Sequence, residues 1–437
     1  MRSLAAILAI FFVAQPVHAV AKKPASKSAA RKKVSRNKKH VSRVPVVHVA
    51  PKVRQAALQA VSTRAVQPAV AIAGASALVP FFEQVSHSQT AGSVHILQYG
   101  DSHTASDDWA DSMRQALQAK FGSGGPGFTL AGHPFAGYRR FDIRGTASRG
   151  WYTEGLVGHP GDGMHGLSGV SISTASAGET VSVFSDCEQI KLHYLQQPGG
   201  GQIEFTVDGS TLDTITTDGE VAPGIYQYTS SGGVHEYSVR TVDSAPVRLF
   251  GWVAQNRLGV TYETLGINGA QASLMLDWNE PILDGEMADR EPALIVVAYG
   301  TNEALSPKWT EPGYREAFTR VLQRLRAAAP LASILVIGPP DCEKRLRGKR
   351  MPFPHLEGVI DIQRKAALDN GCAFWDWRSR MGGPGSVRQW VQAGLGQGDY
   401  THLTSAGYRL VGSMLFDELM TLYNHFLAVR SEALNGQ

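Results

Sequence analysis

Residues 94–104 read Val-His-Ile-Leu-Gln-Tyr-Gly-Asp-Ser-His-Thr, an apolar run that ends in a polar turn. The first six of these residues predict a short buried strand. A helix is expected to follow, because Trp109, Met113 and Leu117 recur every four positions. Gly122 is the expected stop of that helix. A buried strand that leads directly into an amphipathic helix is typical of a parallel α/β sheet.

The second half of the chain repeats this alternation of strand and helix. Ala293–Tyr299 is a continuous apolar run, which is typical of a strand covered on both faces. Further strands are expected at Ser333–Ile337 and Ala373–Trp377, and helices near Leu356–Asp369 and Ser405–Phe426. We therefore predict an α/β fold in which a parallel sheet carries helices on both faces.

Residues 145–255 have a different texture. Short strand-like runs dominate there, separated by turns such as residues 198–201 (Pro-Gly-Gly-Gly) and Asp208-Gly209. This pattern predicts a β-sandwich or jelly roll. Because it interrupts the α/β pattern, we interpret it as a domain inserted between residues 76–144 and residues 256–430.

The N-terminal part of the chain predicts export. Residues 1–19 combine Arg2, a short apolar run and the small-residue site Val17-His18-Ala19, as a cleaved signal peptide does. An uncleaved N-terminal anchor is the alternative. We expect the periplasm as the destination, with the cell surface or a membrane-associated position as further options.

Residues 20–75 are interpreted as a disordered basic tether that is dispensable for chemistry. Residues 1–82 carry 14 Lys and Arg and no Asp or Glu. The remainder has 28 basic and 38 acidic residues, a net charge of −10. A basic segment without aromatic residues predicts disorder, and its charge suits an anionic cell-wall or membrane surface. Export argues against nucleic acid as the partner.

Ser102 is the candidate nucleophile. The tripeptide Gly100-Asp101-Ser102 stands at a strand-to-helix turn, near the carboxyl end of a strand, where open α/β sheets build their sites. Amides at the start of the following helix favour developing negative charge. Alone the tripeptide is weak evidence, because a serine that caps a helix beside a turn aspartate gives the same pattern.

Asp399 and His402 are the candidate acid and base. They stand three residues apart in a glycine-rich loop just before the last helix. A general base needs a partner that fixes its tautomer and stabilises its protonated form, and an aspartate in the same loop can do both. The competing interpretation is an aspartate turn followed by a surface histidine.

Two further elements supply candidate oxyanion-hole donors. Asn302 follows the most hydrophobic strand and carries a carboxamide that can donate a hydrogen bond. Gly269 can offer its backbone N–H in a glycine turn, and nearby Gly266 is the alternative.

The order of these four elements resembles the four sequence blocks of SGNH (GDSL-like) hydrolases. The closer resemblance is to bacterial peptidoglycan O-acetylesterases, on residues 100–104 (Gly-Asp-Ser-His-Thr) and 124–127 (Gly-Gly-Pro-Gly). That resemblance implies a flavodoxin-like three-layer α/β hydrolase fold with an inserted carbohydrate-binding-module-like β-domain. Residue 303 is Glu where many members have Asp, which we take as a minor difference.

The resemblance implies an exported serine esterase that removes O-acetyl groups from a polysaccharide, with peptidoglycan favoured. Its catalytic residues would be Ser102, Asp399 and His402, and its oxyanion donors Ser102, Gly269 and Asn302. An O-acetyltransferase of the same fold and a non-catalytic carbohydrate-binding protein are the alternatives. No metal-ligand cluster, phosphate loop or dinucleotide fingerprint is present in the sequence, so no cofactor is expected.

Overall fold

The computed structural model describes residues 45–67 and 72–435. The strands in chain order are β1 (Ile72–Ala73), β2 (Ser93–Gly100), β3 (Gly127–Leu130), β4 (Arg144–Ala147), β5 (Tyr152–Glu154), β6 (Ser171–Thr174), β7 (Thr180–Asp186), β8 (Gln189–Gln196), β9 (Gln202–Val207), β10 (Ser210–Thr216), β11 (Ala222–Thr229), β12 (Val234–Thr241), β13 (Val247–Gln255), β14 (Gly259–Gly266), β15 (Leu294–Ala298), β16 (Ser333–Ile337), β17 (Glu343–Leu346), β18 (Lys349–Pro352) and β19 (Ala373–Trp375). The α-helices are α1 (Pro51–Ala65), α2 (Val79–Ser86), α3 (Ser102–Ala105), α4 (Asp108–Phe121), α5 (Glu280–Arg290), α6 (Glu311–Ala328), α7 (Leu356–Asp369), α8 (Trp377–Met381), α9 (Ser386–Ala393) and α10 (Ser405–Asn435). Short 3₁₀ helices cover Ala75–Leu78, Ala272–Asp277 and Glu303–Leu305.

The central sheet has the strand order β1-β19-β16-β15-β2-β14. Strands β19, β16, β15, β2 and β14 pair in parallel, and only the two-residue edge strand β1 runs antiparallel to its neighbour. The parallel α/β architecture expected from the sequence is therefore confirmed.

Helices cover both faces of this sheet, which explains its continuous apolar strands. In β15, Ile295 and Val297 pack in the same buried cluster as residues of α5, α6 and α7. Their neighbours Leu294 and Val296 pack instead in the cluster that contains residues of α2, α4 and α10. Successive side chains point to opposite faces of a strand, so both pairs are buried, and each buried side chain contributes about 1.5–3 kcal/mol.

The strands between β4 and β13 build a β-sandwich. One antiparallel sheet has the order β10-β9-β12-β7-β4, and the other has the order β11-β8-β13-β6-β5 with β3 added beside β13. Side chains of both sheets meet in one buried cluster that contains Val183, Phe205, Leu192 and Trp252. The inserted β-sandwich is confirmed. Strand β3 belongs to it by pairing, although it precedes the expected boundary between residues 144 and 145.

The expected tether of residues 20–75 is wrong for its described part. Residues 51–65 form helix α1, which packs on α8 and α9. Ala57 and Val61, four residues apart, are buried in the contact. Arg64 donates hydrogen bonds to the Met381 carbonyl (3.0 Å) and to Gln389 Oε1 (3.2 Å). Ala57 and Val61 are the buried residues of this helix, and hydrogen bonds supply much of the remaining contact, so the sequence carries little hydrophobic periodicity.

The expected signal peptide, residues 1–19, and the first part of the expected tether lie outside the described residues. Among residues 45–67 and 72–435, none of the helices has the length and apolar character that a membrane span needs.

The packing of α1 predicts different effects of the same substitution on its two faces. Val61→Asp should lower the free energy of unfolding by at least about 2 kcal/mol, because an unpaired carboxylate would be buried. Val53→Asp is the matched control, since Val53 is 46% exposed in the first turn of the helix and should change stability by less than about 0.5 kcal/mol. Urea unfolding followed by circular dichroism measures both. Equal stability of the two variants would mean that α1 is only loosely attached, as the sequence predicted.

Candidate active site

The candidate site lies where β2, β14 and β15 end. Gly100, the last residue of β2, pairs in register with Gly266 on one side and with Ala298 on the other. A Cβ on Gly100 would come within 2.1 Å of Thr104 Oγ1 and 2.7 Å of the Ala298 carbonyl oxygen. Only glycine fits between Thr104 and Ala298 at this position. It lets the chain turn directly from β2 into α3, which begins at Ser102.

Ser102 is the first residue of α3. The Asp101 carboxylate caps this short helix by accepting a hydrogen bond from the His103 N–H at 2.9 Å. An N–H at the start of a helix has no partner within the helix, so the Ser102 N–H can serve a bound oxygen.

Ser102, His402 and Asp399 form one chain of hydrogen bonds. Ser102 Oγ lies 2.9 Å from His402 Nε2, and His402 Nδ1 lies 2.7 Å from Asp399 Oδ2. The other carboxylate oxygen, Asp399 Oδ1, accepts the backbone N–H groups of Thr401 (3.0 Å) and His402 (3.1 Å). The structure thus brings together the three residues that the sequence singled out, although 300 residues separate the serine from the histidine.

Arg350 holds the loop that carries the acid and the base. Its guanidinium donates to the carbonyl oxygens of Asp399 (3.1 Å) and Gly398 (3.0 Å) and stacks on the Tyr400 ring at 3.5 Å. Tyr400 has a φ of 63°, a conformation that costs a non-glycine residue energy and needs such support. Sequence reasoning missed Arg350, because nothing in the local sequence links residue 350 to a loop 50 residues later.

The charges of the site favour a basic His402. Burial by itself lowers the pKa of His402, but the hydrogen bond and charge of Asp399 outweigh it and raise that pKa above 6.5. For Asp399 burial acts to raise the pKa, yet the hydrogen bond from His402 and the backbone N–H groups leave it below 3.8. Burial raises the pKa of Asp101, a second carboxyl group nearby, to about 6.

His103 is a neutral neighbour of His402. The two rings lie 5.1 Å apart, and His103 Nδ1 is 2.7 Å from the Tyr408 hydroxyl. Complete burial and the nearby His402 hold the pKa of His103 well below 6.5. His103 therefore fills the space beside the base without adding a positive charge that would oppose the protonation of His402.

The structure favours Gly269 over Gly266 as the glycine donor. Gly266 is the buried last residue of β14, and a Cβ there would lie 2.2 Å from the Ala105 nitrogen. Gly269 is exposed in the following turn with a φ of 78°, which favours glycine. Its N–H makes no hydrogen bond to any described residue.

Asn302 connects the glycine turn to the nucleophile turn. Its Nδ2 donates to the Ala270 carbonyl at 2.9 Å and lies 3.5 Å from Asp101 Oδ2. The Asn302 amide therefore lies between Ala270, which follows Gly269, and Asp101, which precedes Ser102. The three predicted donors lie on the loops that follow β2, β14 and β15, at one edge of the sheet.

Comparison with known proteins finds similarity to ester hydrolases. Residues 228–410 match the GDSL-like Lipase/Acylhydrolase family. The matched range contains Gly269, Asn302, Asp399 and His402 but not Ser102, because most of the β-sandwich separates the nucleophile turn from the rest. No curated protein matches the chain.

Among solved structures, a peptidoglycan O-acetylesterase is 26% identical, with a TM-score of 0.69 over 80% of this chain and 97% of that one. A family two carbohydrate esterase from Cellvibrio japonicus is 13% identical, covering 65% and 99% of the two chains with a TM-score of 0.29. A salicylyl-acyltransferase from a tetracycline biosynthetic pathway is 12% identical, covering 65% and 98% with a TM-score of 0.30. The first similarity extends over both the α/β part and the β-sandwich.

The hydrogen bonds around His402 predict its titration. NMR of the imidazole ring should show a pKa above 6.5 for His402. Asp399→Asn should lower that pKa, because the charge of a carboxylate is lost. His103 is the internal control and should not titrate between about pH 5 and about pH 8. A wild-type His402 that titrates at or below the value of a free imidazole would contradict the geometry of the pair.

Proposed function

We propose that this chain, a GDSL-like carboxylic-ester hydrolase, removes O-acetyl groups from a bacterial cell-wall or secreted polysaccharide, with peptidoglycan favoured. The observation that carries the proposal is the hydrogen-bond chain from Ser102 through His402 to Asp399. The peptidoglycan O-acetylesterase whose structure is similar supports the choice of polymer.

In the first step Ser102 Oγ attacks the acetyl carbonyl carbon. Asp399 accepts a hydrogen bond from the Nδ1–H group of His402, so the Nε2 lone pair is free to take the serine proton. The tetrahedral intermediate then collapses, and His402 returns that proton to the departing sugar oxygen. The sugar leaves with its hydroxyl group restored, and the acetyl group stays on Ser102.

In the second step water releases the acetyl group. His402 takes a proton from the water as the oxygen attacks the acetyl carbonyl, and then returns it to Ser102 Oγ. In both steps negative charge on the carbonyl oxygen is stabilised by the N–H groups of Ser102 and Gly269 and by Asn302. Acetate leaves, and the free serine is regenerated.

The β-sandwich contributes residues close to this site. The turn formed by Leu156 and His159 carries Val157, whose Cγ2 lies 3.9 Å from the Cβ position built on Gly269. Tyr99, near the end of β2, donates from its hydroxyl group to the Leu167 carbonyl at 2.9 Å. An acetyl group offers little surface for binding, so we infer that the sugar side, where the sandwich lies, supplies most of the binding energy.

One aromatic residue of the sandwich is suited to contact a sugar ring. Trp252 is fully buried in the sandwich core, and Trp151 packs against that core with its Nε1 donating to the Thr180 carbonyl at 3.1 Å. Tyr152, by contrast, is 58% exposed. Tyr152 stands five residues before Val157, so its Cα lies at most about 17 Å from that of Val157, the residue beside Gly269. We therefore assign sugar stacking to Tyr152.

Export is part of the proposal. A signal peptide at residues 1–19 would place the enzyme in the periplasm, where peptidoglycan is found. The lysines and arginines of residues 20–43 would then hold it near the anionic cell wall or membrane surface.

Ser102→Ala should lower esterase activity by at least about a thousandfold while the protein stays folded, because no other group replaces the nucleophile. His402→Ala should be damaged comparably, and Asp399→Asn somewhat less. Hydrolysis of a chromogenic acetyl ester measures the rates. Ser106→Ala, four residues away on the same turn, removes only a hydroxyl that donates to the His103 carbonyl and should keep near-normal activity. Wild-type turnover by Ser102→Ala would exclude the proposed mechanism.

The wild-type enzyme should release acetate from O-acetylated peptidoglycan and none from the same polymer after chemical de-O-acetylation. Tyr152→Ala should raise KM for the polymer about fivefold, through the loss of about 1 kcal/mol of stacking, and leave the chromogenic ester unaffected. Val221→Ala, also exposed on the sandwich, is the matched control. A preference for long-chain acyl esters, or acetate release confined to other glycans, would overturn peptidoglycan as the substrate.

A further inference from the structure

The turn that carries Gly269 is tied down at three points. At its start the Ile267 N–H donates to the Gly100 carbonyl at 2.9 Å. In its middle the Ala270 carbonyl accepts from Asn302 Nδ2 at 2.9 Å. At its end the Ala272 N–H donates to Glu303 Oε1 at 2.8 Å. Gly269 stands between these anchors, and its N–H makes no hydrogen bond to any described residue, so the anchors decide where that N–H points.

Glu303 is an unusual residue for a structural anchor. Its side chain is 3% exposed, and its second carboxylate oxygen, Oε2, makes no hydrogen bond to any described residue. Burial raises the pKa of Glu303 to about 7. Burying a carboxyl group costs free energy that one hydrogen bond to a backbone N–H only partly offsets. This cost falls on a residue whose side chain supplies the acceptor for the buried Ala272 N–H, which points to a function for that hydrogen bond.

The length of the side chain matches that function. Glu303 directly follows Asn302, and the two side chains reach the same turn at Ala272 and Ala270, two residues apart. The backbone carbonyl of Asn302 also accepts from Gln271 Nε2 at 3.4 Å. Asn302 and Glu303 thus bind the turn at Ala270 and Ala272, the residues before and after Gln271. Aspartate, one methylene shorter, would not span the distance to Ala272 without a shift of the backbone.

We propose that Glu303 is a positioning residue for the oxyanion hole, which fixes the 267–272 turn so that the Gly269 N–H faces the carbonyl oxygen of the ester at Ser102. The inference rests on the proposed esterase mechanism. One oxyanion donor contributes about 10²–10³ in kcat, and a misplacement of about 1 Å in such a site costs up to about 10². Glu303 touches neither substrate nor nucleophile and acts only through the turn.

Three substitutions separate this role from general stability. Glu303→Leu keeps the volume and removes the acceptor, so kcat on a chromogenic acetyl ester should fall about 10–100-fold with KM nearly unchanged, because the oxyanion forms only in the transition state. Glu303→Gln keeps a carbonyl acceptor for the Ala272 N–H and should rescue kcat to within about threefold. Glu303→Asp should resemble Glu303→Leu.

Affinity for a boronic acid, which forms a tetrahedral adduct with the serine, should fall in parallel with kcat across this series. Val85→Ala is the stability control, because it removes buried volume from α2 on the other face of the sheet and should lower Tm without changing kcat.

The outcomes distinguish the two proposals. If Ser102→Ala is inactive while Glu303→Leu keeps wild-type kcat and boronic acid affinity, the positioning role is wrong and the mechanism stands. An active Ser102→Ala would instead overturn the mechanism itself. Equal loss in Glu303→Gln and Glu303→Leu would also reject the role, since both would then act through something other than the acceptor.

Discussion

The parallel pairing of β2 with β14 and β15 is the constraint on which the site depends. Gly100 stands level with both Gly266 and Ala298, so the three following loops leave the sheet at the same height. One loop carries the nucleophile and the other two carry the candidate oxyanion donors. A change of register on either side would separate these groups by one residue step, about 3.3 Å, which is more than a hydrogen bond tolerates.

Polar side chains of the β-sandwich pair with polar side chains of the α/β part where the two parts meet. His193 Nδ1 of β8 lies 2.9 Å from Glu286 Oε2, and Lys191 Nζ of the same strand lies 2.6 Å from Asp289 Oδ1, both on α5. Pairs of this kind add little stability over an apolar contact, but they penalise any arrangement that leaves one partner alone. They therefore favour a single placement of the sandwich, and with it of Val157 beside the glycine turn.

The local parts of the molecule could be predicted from the sequence, and the parts that depend on distant residues could not. The buried strands and the triad were within reach because strand-to-helix turns and the spacing from Asp399 to His402 are short patterns. Helix α1 was missed because Ala57 and Val61 give almost no periodic signal. The choice between Gly269 and Gly266 required knowing that β14 continues to residue 266. The anchoring of the catalytic loop by Arg350 is likewise a tertiary contact without local signature.

Burial also governs the sign of the charges around the oxyanion hole. A carboxylate there would oppose the negative charge that develops on the carbonyl oxygen. Burial raises the pKa of Asp101 to about 6 and that of Glu303 to about 7, which favours the neutral form of each acid relative to an exposed carboxyl group. Neutral Glu303 still presents a carbonyl oxygen to the Ala272 N–H, so it can hold the turn without adding charge. Asp399, which must stay ionised to support His402, is instead given the hydrogen bonds that lower its pKa. The same fold thus lowers the pKa of the carboxyl group that supports His402 and raises the pKa of the two carboxyl groups near the candidate oxyanion donors.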